Sequence, residues 1–70
     1  MVTLEEIHEQ IAKAIRYSGK TQTQIAEELG IKQPTVSEYL YGKSFPALDT
    51  FARFCEALDL DANEILCIKK

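Results

Sequence analysis

The side chains best suited to chemistry cluster in mid-chain: Gln33, Ser37, Glu38, Tyr41 and Lys43. The spacing predicts one short helix over about residues 34–41, with Val36 and Leu40 four apart on its inner face. Ser37, Glu38 and Tyr41 then face outward, and Gln33 and Pro34 stand at the exposed leading end. A helix fixed to a scaffold on one side and polar on the other is built to place hydrogen-bonding atoms against base edges. Catalysis finds no comparable grouping. No nucleophile, base and oxyanion donors can be assembled from these residues, and so small a chain has no room for a deep pocket, so no enzyme is expected.

The flanking sequence must position that helix. Thr3 stands three residues before Glu6, a capping box, with Val2 and Ile7 set as a hydrophobic staple. Leu4, Ile7, Ile11, Ala14 and Ile15 recur at helical spacing and predict a helix over about 4–18, ended near Ser18 and Gly19. Thr21 and Gln24 form a second box, opening a helix over about 22–29 with Ile25, Ala26 and Leu29 as its stripe and Gly30 as its stop. Pro34 fits the first turn of the next helix, and Gly42 ends it. Leu48, Phe51, Ala52, Cys55 and Leu58 predict a fourth helix over about 47–58. Asp61 and Glu64 predict a third box and a fifth helix over about 62–67, stapled by Leu60 and Ile65. The expected fold is all-α, five short helices in one domain spanning residues 1–70.

Composition fits this reading. Seventy residues allow a single small core, and 46% apolar with 27% charged residues is globular rather than disordered composition. Two cysteines, Cys55 and Cys67, make no disulfide scaffold, and one histidine leaves no metal cluster of the usual spacing. No cofactor is expected. His8, beside Ile7 on a helix surface, is expected to be solvated, and Cys55 to be a small buried hydrophobe. No apolar run of membrane-spanning length occurs, and the start does not read as a signal peptide, so the expected location is the cytoplasm.

The net charge of −3 argues mildly against a nucleic-acid partner. Its distribution matters more. Residues 13–43 carry Lys13, Arg16, Lys20, Lys32 and Lys43 against Glu27, Glu28 and Glu38, whereas the remainder is strongly acidic. The polar helix therefore lies in the mildly basic part of the chain.

The sequence resembles the Cro and phage-repressor type of helix–turn–helix domain, also called the lambda-repressor-like or XRE family. The resemblance is strongest at TQTQIAEELGI (21–31) and continues through QPTVSEYLYGK (33–43), PALDTF (46–51) and ALDL (57–60). It implies a compact five-helix domain with a central helix–turn–helix, acting as a double-stranded DNA-binding transcriptional regulator. Carried over by resemblance, Gln33, Pro34, Ser37 and Glu38 take base-facing positions, and Gln22, Lys32, Tyr41 and Lys43 take positions that meet the backbone. Gln33 is the family's leading glutamine, whose amide suits adenine N6 and N7. Lys32 stands where serine often caps the helix, so Gln33 either caps or reads. Pro34 offers apolar contact to a thymine methyl, and Glu38 can accept from cytosine N4. Ala47 replaces a frequent serine cap, and Asp59 a frequent glycine.

So modest a basic surface implies weak, salt-sensitive binding by one copy, and hence a homodimer on a palindromic operator with half-sites about one helical turn apart. Leu66, Cys67 and Ile68 are the expected dimer surface; the alternative is that Leu66 completes the core and Ile68 lies in the tail. Phe45 either plugs the core or supports a neighbour. No small-molecule effector is evident. The competing function is a protein-interaction or adaptor module, antitoxin or coactivator-like, on the same fold.

Overall fold

The computed structural model describes residues 2–68. Five helices follow one another: α1 (Leu4–Arg16), α2 (Gln22–Leu29), α3 (Gln33–Leu40), α4 (Leu48–Ala57) and α5 (Ala62–Ile65). Among the described residues there is no strand, so the fold is the expected all-α arrangement of five helices. α3 packs against α1 and α2, α4 packs on α2, and α5 closes against α1.

Local signals set the helix starts. Thr3 and Glu6 exchange the bonds of a capping box, and so do Thr21 and Gln24. At α5, Asp61 accepts from the Asn63 amide at 3.0 Å, one residue short of the expected partner position. α3 and α4 each end one residue before the expected 41 and 58, and α1 and α5 end two residues before the expected 18 and 67. α1 stops at Arg16, because the Ser18 hydroxyl takes the Ile15 carbonyl at 2.9 Å and the Lys20 amide donates to that hydroxyl. α5 stops at Ile65, because Cys67 turns left-handed at φ 61°.

Ile11, Ala12 and Ile15 of α1 meet Ile25, Ala26 and Leu29 of α2, Val36, Tyr39 and Leu40 of α3, Phe51, Phe54 and Cys55 of α4, and Ile65 of α5 in one core. Leu4 is on the surface, not in the core. Phe51, Cys55 and Leu58 of the expected α4 stripe face the core, but Leu48 and Ala52 do not, and Phe54 joins it instead. Phe54 is the largest fully buried side chain, while Leu48 is 88% exposed and Ala52 is exposed. Apolar residues occur on more than one side of α4, so its own sequence does not fix the edge of the buried stripe; packing on α2 does.

Candidate nucleic-acid interface

The α2–α3 corner is built from backbone up. Gly30 adopts φ +69°, a left-handed conformation that glycine enters without a side-chain penalty. The Ile31 amide reaches back to the Ala26 carbonyl at 3.0 Å, and the Gly30 amide to that of Glu27 at 3.3 Å, which satisfies two end carbonyls of α2. Ala26, 3% exposed, lets the two helices approach. Lys32 is the extended residue before α3 and makes no side-chain cap; Pro34 lies in the first turn, where its missing N–H costs no helical bond.

Burial divides α3 in two. Val36, Tyr39 and Leu40 are in the core. Gln33, Pro34 and Glu38 are exposed, and Ser37 is half-buried. Gln33 does not cap its helix: its Nε2 donates to Oε1 of Gln22 at 2.5 Å, joining the first residues of α3 and α2. Glu38 accepts from the Ser44 hydroxyl at 3.3 Å. Tyr41, 64% exposed, and the exposed Lys43 flank Gly42 beyond the last turn. Gln22 is half-buried and Lys32 exposed. The expected base-facing and backbone-facing residues thus lie on α3 and at its two ends, except Gln22, which opens α2 and reaches the start of α3 through Gln33.

His8 departs from expectation. It is half-buried rather than solvated, and its Nε2 lies 2.9 Å from the Leu40 carbonyl oxygen at the end of α3. Because a carbonyl only accepts, the imidazole donates. Nothing in the local pattern around Ile7 signals this, since its partner is 32 residues away.

The charge distribution also changes. Lys20 belongs by count to the basic region, yet its Nζ lies 2.7 Å from Glu28 Oε1 and 3.1 Å from the Ala57 carbonyl. It faces the α2–α4 side and is neutralised there. Lys13, Arg16, Lys32 and Lys43 are exposed.

A separate apolar face lies at the ends of α1 and α4. Leu4, Ile7, Phe45, Pro46, Leu48 and Leu66 line a groove of about 160 Å³. Phe45 is 37% exposed, so it does not fill the core. Leu66 and Cys67 are half-buried, and Ile68 is 53% exposed. Among the described residues, no helix is long and apolar enough to cross a membrane.

Comparison with known proteins agrees with the geometry. The profile of the family described as Helix-turn-helix matches residues 11–65. The chain is 28% identical over 60 residues to the cryptic phage CTXphi transcriptional repressor RstR of Vibrio cholerae serotype O1, a match covering 86% of this chain and 54% of that protein. The chain therefore spans about half the length of this curated relative. No solved structure matches. With its core, its tight Gly30 corner and its polar α3 face all inside the matched span, the chain belongs to the helix–turn–helix family.

Proposed function

We propose that the chain is a sequence-specific, double-stranded DNA-binding transcriptional regulator, acting as a repressor, that places α3 in the major groove. The observation that carries this reading is the division of α3 into a locked apolar face and an outward polar one, with Gln33 tied to Gln22 at its leading end. Gln33, Pro34, Ser37 and Glu38 address base edges. Gln22, Lys32, Tyr41 and Lys43 meet the sugar–phosphate backbone and set the register. The Gln22 side-chain oxygen Oε1 accepts from Gln33 Nε2, so the Gln33 Oε1 and its remaining side-chain N–H are presented in a fixed direction. The relative described as a transcriptional repressor supports the regulatory role.

With Lys20 neutralised, one copy has few cations to set against phosphates, and pairing of two copies on a palindrome supplies the rest. Leu66, Cys67 and Ile68, next to the groove formed with Leu4, Phe45 and Leu48, are the proposed dimer surface. The working location is the cytoplasm, on the nucleoid when bound.

Titration against random duplex at low and high salt tests the reading. Each phosphate neutralised contributes about −0.9 to the slope of log K against log salt. Binding at low salt that weakens steeply with added salt is expected. No binding at low salt contradicts it and favours the adaptor reading, which the net charge of −3 supports.

A further inference from the structure

We infer that His8 is a positioning residue for nucleic-acid binding: it latches the end of α3 so that Tyr41 and Lys43 are held for backbone contact. This rests on the DNA-binding reading above.

A helix leaves its last four carbonyls without intrahelical partners. In α3 each of these is accounted for. The Ser37 carbonyl accepts from the Tyr41 amide at 3.0 Å, that of Glu38 from Lys43 at 2.9 Å, and that of Tyr39 from Gly42 at 3.4 Å. Only the Leu40 carbonyl is satisfied from another element, by His8 of α1 at 2.9 Å. The contact is steric as well as polar. A Cβ on Gly42 would lie 3.0 Å from His8 Cε1 and 3.1 Å from Nε2, so the imidazole packs on the bare glycine backbone. The ring therefore holds both the last carbonyl of α3 and the turn that follows it. Tyr41 and Lys43 leave the backbone on either side of that turn. Without the ring, a buried-side carbonyl loses its donor and the turn loses its floor, so the two side chains are no longer delivered to fixed points. Base reading by Gln33, at the opposite end of α3, is untouched. The latch thus governs backbone contact and not sequence preference.

The test compares His8→Ala, His8→Gln and His8→Asn with the parent, on a duplex selected by the parent and on a random duplex. Glutamine carries an amide N–H near the position of the imidazole Nε2; the shorter asparagine does not reach it. His8→Ala is expected to lose several-fold affinity on both duplexes alike, with a salt slope shallower by about 0.9, the loss of one phosphate contact. His8→Gln restores slope and affinity, and His8→Asn does not. Circular dichroism and melting of each variant give the folded fraction, and a smaller folded fraction lowers the active concentration without changing the slope. If folded His8→Ala keeps the parent's slope and affinity, or if His8→Gln is no better than His8→Asn, the inference is overturned. If the parent itself binds no duplex, the DNA-binding reading fails first and the inference with it.

Discussion

Gln33 donates its side-chain amide to the side-chain oxygen of Gln22, so the leading residue of α3 is oriented by the leading residue of α2. The two glutamines then have different roles. Gln33→Ala removes a group that discriminates between bases and is expected to weaken specific binding more than random-duplex binding, by about 1–3 kcal/mol on the specific site. Gln22→Ala is expected to weaken both, since it removes a backbone contact and frees Gln33. Equal losses for Gln33→Ala on both duplexes would reduce Gln33 to a backbone contact.

Gly30 and Gly42 are both left-handed, at φ +69° and +75°, but their surroundings differ. Among the described residues, nothing lies within 4 Å of a Cβ built on Gly30, whereas one on Gly42 meets the His8 ring. Gly30→Ala is expected to cost about 1–2 kcal/mol, the left-handed penalty alone. Gly42→Ala is expected to cost more, and the excess should vanish in a His8→Ala background. Urea unfolding of the four proteins measures this; equal costs in both backgrounds would contradict the contact.

Asp59 occupies the left-handed position after α4 at φ 53°, with the Leu60 amide returning to the Cys55 carbonyl at 2.8 Å. Glycine fits that turn with less strain. Asp59→Gly is expected to stabilise by about 0.5 kcal/mol, raising Tm by about 2–4 °C in a domain of this size. A lower Tm would count against the turn geometry.

Burial pushes the Cys55 thiol and the Tyr39 phenol above their ordinary pKa values, with Asp61 adding to the first and Glu38 and Asp49 to the second. Both groups therefore titrate earlier in the unfolded chain. Their stabilising effect is complete below the unfolded thiol value of 9.0 and is lost as pH rises through the folded values. Stability should fall above about pH 9, and less steeply above pH 10 in Tyr39→Phe. A thiol reagent at neutral pH should modify half-buried Cys67 well before buried Cys55.

Leu48 is 88% exposed on the rim of the apolar groove, so Leu48→Glu should leave Tm nearly unchanged. If two copies pair through this face, the same change should shift sedimentation toward monomer and weaken operator binding. Unchanged self-association would exclude Leu48 from the dimer surface.

Much of the fold was legible because its signals are local. Thr3 with Glu6 and Thr21 with Gln24 lie within one helical turn, and their boxes form as the spacing implies. The α4 face was legible in part: Phe51, Cys55 and Leu58 turn inward as their spacing implies, but Leu48 and Ala52 are as apolar as a core stripe requires and only α2 decides that Phe54 turns inward in their place. The polar face of α3 could be read from Val36 and Leu40 alone. The Gln22–Gln33 bond, the Lys20–Glu28 pair and the His8 latch could not, since each joins residues from different elements or from opposite ends of one corner. The groove is also tertiary: Leu4, Phe45 and Leu48 become one surface only after α1 and α4 are placed.

Selection of bound duplexes from a random pool tests the central claim most directly. The expected result is an enriched palindrome whose half-sites lie about one helical turn apart, as two copies of α3 in successive major grooves require. Recovery of a pool no different from the input, under low-salt conditions where the chain is folded, would contradict it.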